Sequence, residues 1–213
     1  QIFGGDPDRM AEAAQAVERI GADVVDVNMG CPVPKVAKGR AGCSLMRDPV
    51  RAAAIVKAMV GAVSIPVTVK MRSGWNDRDV NAPDLARRLE DAGAAAVTVH
   101  GRTAEQSYSG KADWELIARV VRSVSIPVYG NGDCHQPEEL VFVADLSVGE
   151  KDHLPDALAA LPAVQREIQG ERHLGPALGA QPPDPAARFR AVLRRRGPRA
   201  ALEERTRVGI ELD

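Results

Sequence analysis

Residues 23–34 read Asp23-Val24-Val25-Asp26-Val27-Asn28-Met29-Gly30-Cys31-Pro32-Val33-Pro34, and the fold of the chain turns on this stretch. Val24, Val25 and Val27 make the short β-branched run of a buried strand. Past the strand come a polar side chain, a glycine that frees the backbone, a thiol, and a proline that stops regular structure. A fold uses such an order to hold one reactive side chain at the mouth of a sheet or barrel. The plainer alternative is that Cys31 is a small buried hydrophobe, the commonest state of a free cysteine.

Working outward, residues 1–4 read as a strand end with Gln1 at its edge. Asp6-Pro7 starts a helix carrying Met10, Ala13, Ala14, Val17 and Ile20 at helical spacing, and Gly21 stops it. After the central strand, residues 35–42 (KVAKGRAG) read as a mobile basic loop. Asp48-Pro49 starts a second helix with Ala52, Ile55, Val56 and Met59 on one face. Residues 64–70 are a strand, 73–79 a polar loop with Trp75, and 82–93 a third helix. Residues 95–99 are a strand ending in His100-Gly101-Arg102-Thr103. Residues 114–121 are a helix, and 125–129 a strand ending in Gly130-Asn131-Gly132-Asp133. Another helix starts near Gln136-Pro137 and carries Leu140, Val141 and Val143.

The sequence repeats itself: GADVVDVN with a later VSIPVTVK is echoed by GAAAVTVH with a later VSIPVYGN. Helix-length connections between short buried strands imply parallel pairing and right-handed crossovers. Five such strands point to an α/β chain of the (β/α)8 TIM-barrel type, incomplete, with about five βα units. A doubly wound sheet is the alternative, but no strand is followed by GxGxxG. The barrel part is expected over residues 1–145. Residues 146–213 read as a Pro- and Arg-rich tail, irregular or helical, with short helices at 157–168 and 186–196. Its Arg188, Arg190 and Arg194 to Arg196 form a basic run, read as a solvated face ahead of an RNA contact.

The chain has 213 residues, enough for one good core or a domain plus a tail. Aromatics are 3%, so the core must be mostly Val, Ala, Leu and Ile. A formal charge of −1 excludes a generally basic nucleic-acid binder but not a local basic face. Cys31, Cys43 and Cys134 match neither a disulfide scaffold nor a zinc pattern, so no metal is expected and a reducing, cytoplasmic setting is. No apolar run spans a bilayer, and no secretory signal is present. The chain lacks an initiator Met and opens in a strand end, so a segment upstream is expected.

If the strands are parallel in one barrel, their C-terminal tips share one face. That face collects Gln1, Asn28, Cys31, Lys70, Arg72, His100, Arg102, Asn131 and Asp133. Together they form a polar, net-cationic pocket suited to a planar anionic cofactor or a phosphorylated ligand. Gly130 and Gly132 let the backbone approach such a ligand closely.

IFGGDP, DVNMGCPVPKV, KGRAGCSLM, VTVKMRSGW, VTVHGRTAEQSYSGKADW and IPVYGNGD closely resemble the flavin-dependent tRNA-dihydrouridine synthases, especially the bacterial type. The resemblance covers residues 1 to about 140. It implies reduction of the C5–C6 double bond of a tRNA uridine, with hydride from reduced FMN, NADPH as reductant, and a proton from Cys31. It makes Gln1, Lys70, His100 and the Asn131-Gly132-Asp133 turn contacts of the flavin. Asn28, Arg72 and Arg102 are substrate-binding candidates, the first two for orienting the uracil. Lys35, Lys38 and Arg40 beside the cysteine loop are candidates for holding tRNA phosphates. Three family features are not found: a first barrel strand before Gln1, a strand ending in Gly-Arg after Leu140, and the helical RNA-binding domain in residues 146–213. Two other readings are an FMN barrel reductase related to dihydroorotate dehydrogenase, and an inactive remnant that binds RNA or a partner. The basic KVAKGR loop favours the tRNA enzyme over the former.

Overall fold

The computed structural model of the chain describes residues 1–133 and 208–211. In chain order it begins with α1 (Pro7–Arg19), β1 (Val25–Met29), α2 (Pro34–Lys38), a 3-10 turn (Gly42–Arg47) and α3 (Pro49–Ala62). Next come β2 (Val67–Arg72), β3 (Gly74–Asn76), β4 (Asp79–Val80) and α4 (Ala82–Asp91). The rest is β5 (Ala96–His100), α5 (Trp114–Ser123), β6 (Val128–Asn131) and β7 (Val208–Glu211).

One parallel sheet runs β1-β2-β5-β6-β7, and Ile2 adds a parallel bridge to Val27 outside β1. Alternation along each strand sorts the side chains. Val25, Val27, Met29, Val67, Val69, Met71, Val97, Val99 and Val128 are buried in one cluster with Met10, Ile55, Leu85, Leu89, Leu116 and Ile117 from the helices. The opposite parity puts Asp26, Asn28, Thr68, Lys70, Arg72, Thr98, His100 and Asn131 on the other face. Helices α1, α3, α4 and α5 pack as successive neighbours on the apolar side. Among the described residues these four helices share one face of an all-parallel sheet, the arrangement of an incomplete (β/α)8 barrel wall rather than of a doubly wound sheet.

The helix starts follow the local chemistry. Asp6, Asp48 and Asp113 each accept the backbone N–H three residues on, which satisfies a first-turn donor of α1, α3 and α5. The carboxyl of Asp48 lies below its ordinary range, chiefly because of the Arg51 backbone N–H and then the Arg51 side chain.

The internal repeat has a structural basis. Helices α1 and α4 end in the same motif: Ala22 N donates to Val17 O and Gly21 N to Glu18 O, as Ala94 N does to Leu89 O and Gly93 N to Glu90 O. Gly21 and Gly93 take φ of +89° and +97°, the left-handed cap that glycine adopts without strain. Each helix then lends a carboxylate to the start of the next strand but one in the parallel sheet. Glu18 Oε1 accepts from Ser64 N at 2.7 Å and Ile65 N at 3.2 Å. Glu90 Oε1 accepts from Ser125 N at 2.8 Å and Ile126 N at 3.2 Å. The Ser-Ile-Pro turns ahead of β2 and β6 are thus held by equivalent clamps at the N-terminal rim.

Three segments differ from the sequence expectations. The basic loop 35–42 contains α2, because Pro34 presets a helical first turn and Val33 O accepts from both Val36 N and Ala37 N. The polar loop 73–79 contains a tight antiparallel ribbon, β3 with β4. Residues 208–211 form a fifth parallel strand on β6, in a tail read as irregular or helical. The helix after Gln136, the 145/146 boundary, the helices at 157–168 and 186–196, the arginine run and the strand sought after Leu140 lie outside the described residues.

Replacing Glu90 with Ala removes the acceptor for two backbone donors, one on the buried Ile126. Urea unfolding is expected to show a loss of about 1–3 kcal/mol, with Glu90→Gln losing less because it keeps an oxygen there.

Candidate active site

The strand register arranges the polar face in rows across the sheet. Asp26 and Thr68 pair in the innermost row; Asn28, Lys70, Thr98 and Tyr129 follow; Arg72, His100 and Asn131 stand at the tips. Above the tips lies a cavity of about 670 Å³, within the usual range for a small-molecule site. Gln1, Asn28, Cys31, Lys70, Arg72, His100 and Asn131 all line it, with Pro32, Val33, Pro34, Met71, Ala104, Ser107 and Tyr108. Among the described residues its lining includes Lys70, Arg72 and His100 and no carboxylate.

The loop that carries Cys31 is held by side chains on both flanks. Asn28 Oδ1 accepts from Gly30 N at 3.1 Å and Cys31 N at 2.8 Å. Asn28 Nδ2 donates to Gln1 Oε1 at 2.7 Å, and Gln1 Nε2 donates to Asp26 Oδ2 at 2.5 Å. Asp26 Oδ1 also accepts from Thr68 Oγ1 at 2.6 Å. On the far flank, Arg72 Nε donates to Gly30 O at 3.0 Å. The same guanidinium donates to Thr103 O at 3.0 Å and Ser107 O at 2.9 Å, and it lies 6.0 Å from the Tyr108 ring centroid. Burial holds Arg72 below its ordinary range. Gly42, at φ +60°, lets the 3-10 turn close on this loop, since a Cβ there would stand 2.6 Å from Cys31 O.

Cys43 N donates to Cys31 O at 3.0 Å. Burial pushes the Cys43 thiol up, against the opposing pull of the Arg72 cation, so it stays protonated and shielded. Cys31 is half-buried and faces the cavity. His100 Nδ1 lies 2.5 Å from Asn131 Oδ1, a carbonyl acceptor that fixes the proton on Nδ1. Among the described residues no cluster of His, Cys, Asp or Glu could hold a metal ion.

Several residues read from the sequence as ligand contacts are engaged elsewhere. Asn28 and Arg72 line the cavity; both amide atoms of Asn28 bond loop backbone or Gln1, and Arg72 bonds three carbonyls through Nε and Nη1, so both residues shape the loops before any ligand arrives. Arg102 does not line the cavity. It donates to Ser109 O, Gly110 O and Asp133 Oδ1, the last at 2.6 Å. Asp133 likewise accepts from Arg102 and from Ala112 N, tying the loop after β5 to the end of β6. Gly132 packs where a Cβ would stand 2.6 Å from Ala112 Cβ, away from the lining. Lys35, Lys38 and Arg40 are outside the lining, on and just after α2. The sequence reading missed Asp26, Thr68 and Tyr108. Asp26 was legible as the polar member of an otherwise Val strand, and Tyr108 as a lone aromatic in a polar loop.

A family model described as dihydrouridine synthase matches residues 1–147. The chain is 51% identical over 141 residues to a probable tRNA-dihydrouridine synthase 1 of Synechocystis sp., covering 66% of this chain and 40% of that protein. It is 54% identical over 133 residues to a probable tRNA-dihydrouridine synthase of Rickettsia bellii, covering 62% and 41%. Over 182 residues it is 42% identical to tRNA-dihydrouridine synthase B of Pseudomonas aeruginosa, covering 85% and 55%. The chain therefore spans about half the length of the curated relatives it matches, or somewhat less.

Arg72→Lys removes the planar fork that reaches three carbonyls on two loops. An expected loss of about 2 kcal/mol is checked by urea unfolding followed by circular dichroism.

Proposed function

The chain belongs to the dihydrouridine synthase family, and from that premise we propose that it carries the thiol-bearing wall of a tRNA-dihydrouridine synthase, reducing the C5–C6 bond of a uridine in cytoplasmic tRNA. The observation that supports this most is the convergence of Cys31, Lys70 and His100 on one cavity.

The donor set fits the ring system of FMN. Cationic and amide side chains suit its anionic polar edge, and Met71, Ala104 and Val33 offer apolar surface to a planar ring. When bound, and once reduced by NADPH, FMN supplies hydride for C6 of the uracil. Lys70 and His100 would hold the anionic edge of the cofactor, and Asn131 keeps His100 in one tautomer and orientation. Cys31 keeps its proton at Sγ until the base is seated, then delivers it to C5. Asn28 and Arg72 hold the loop so that the thiol meets the base from a fixed direction. The uridine must leave its stack, at a cost of a few kcal/mol. Lys35, Lys38 and Arg40, beside the cysteine loop, offset that cost by contacting tRNA phosphates.

Two measurements test the proposal. Titration with FMN is expected to shift the visible flavin bands to a stoichiometric end point at micromolar protein. Flavin that stays free at that concentration removes the reductase reading for this chain. Cys31→Ala is expected to lower uridine reduction about 10²–10⁴-fold while leaving flavin reduction by NADPH unchanged. Equal loss of both half-reactions would refute the proton-donor role.

A further inference from the structure

We infer that Asp26 is a positioning residue for Cys31, acting through Gln1 and Asn28; this deepens the reading above and rests on it for its catalytic meaning. Asp26 lies on the polar face of β1, in the row farthest from the cavity mouth, and does not line the cavity. Its influence reaches the thiol through three links. An ionised carboxylate only accepts hydrogen bonds. Gln1 must therefore turn its NH2 toward Asp26 Oδ2, which turns Gln1 Oε1 toward Asn28. Asn28 must then offer its own NH2 to Gln1, which leaves Asn28 Oδ1 for the N–H groups of Gly30 and Cys31.

Each amide has two ends that differ in hydrogen-bonding sense, so the order runs one way only. A donor in place of Asp26 permits the reverse orientation at each step. Asn28 would then present NH2 to two backbone N–H groups, and the loop would lose its hold. Thr68 Oγ1 and the backbone bonds between Ile2 and β1 keep the starting groups in place: Ile2 N donates to Asp26 O at 2.8 Å, and Asn28 N to Ile2 O at 2.9 Å. The carboxylate thus sets the direction of a relay that ends on the backbone of the proton donor.

The experiment reads the thiol directly. Iodoacetamide alkylation of the full chain, with peptide mass spectrometry to separate the cysteines, needs neither flavin nor tRNA. Cys43, fully buried, serves as the internal reference for folding. Asp26→Asn is expected to speed Cys31 alkylation about threefold or more, the change in loop opening that one lost hydrogen bond brings. Asn28→Ala is expected to do the same, and the double variant to exceed Asn28→Ala alone by nothing, because both act on one path. Should Asp26→Asn fail to fold, Gln1→Ala alters only an exposed side chain and must give the same acceleration. An unchanged or slower Cys31 rate in Asp26→Asn or Gln1→Ala, or additive effects in the double variant, overturns the relay. If alkylation behaves as expected while the wild-type chain binds no flavin, the relay stands and the reductase reading falls.

Discussion

The site depends first on strand register. β1 pairs with β2, β2 with β5 and β5 with β6 without offset, so that Arg72 meets His100 and His100 meets Asn131. Because side chains alternate, a slip of one residue would turn Lys70 and Arg72 into the helix layer and put the valines of β2 on the polar face. Two features set at the opposite rim prevent this. The valine rows are buried against α1, α3, α4 and α5, where an inverted strand would bury charge. Glu18 and Glu90 hold the backbone just before β2 and β6, and so fix where each strand begins. With the starts pinned, the strand lengths decide which residues reach the tips.

Tip residues then divide by what they are bonded to. Asn28 and Arg72 spend their polar groups on loop backbone from two sides, and Arg102 with Asp133 does the same between the loops after β5 and β6. Cys31 sits between the first two clamps and lines the cavity. A group that must hand over a proton along one line gains most from a frame made before the substrate arrives. The buried guanidinium of Arg72 suits this task because its fork reaches several carbonyls at once, which an ammonium does not.

How much of this was readable in the sequence follows from the range of the forces involved. The strands and the four long helices are written in local patterns: β-branched runs, apolar residues at helical spacing, Asp-Pro starts and Gly stops. The gathering of Cys31, Lys70 and His100 at one face follows from parallel topology alone. The individual bonding of Asn28, Arg72 and Asp133 does not, since it depends on which carbonyls two distant loops bring within reach. Asp26 was passed over because the reading followed the valines and not the polar residue between them. β7 is a four-residue strand, Val208–Glu211, whose partner lies far back in the chain, and no local period marks it.

Charge on the polar face is sorted along the strands, and this bears on what can enter. Asp26 lies deepest, Lys70 on the adjacent strand two residues nearer the mouth than Thr68, and Arg72 and His100 two residues beyond Lys70. Two residues of strand are about 6.6 Å and neighbouring strands about 4.8 Å apart, so these charges are close enough to act as one graded field. Two carboxylates bordering this face are engaged, Asp26 deep in the sheet by Thr68 and Gln1, and Asp133 beyond β6 by Arg102 and Ala112. A planar anion entering the cavity meets the side chains of Lys70 and Arg72. Water reaches the cavity, but its walls of Met71, Val33, Pro32 and Pro34 exclude part of the solvent that would screen this field. Asp26, outside the cavity lining, serves instead as an acceptor that sets the sense of the amides leading to Cys31.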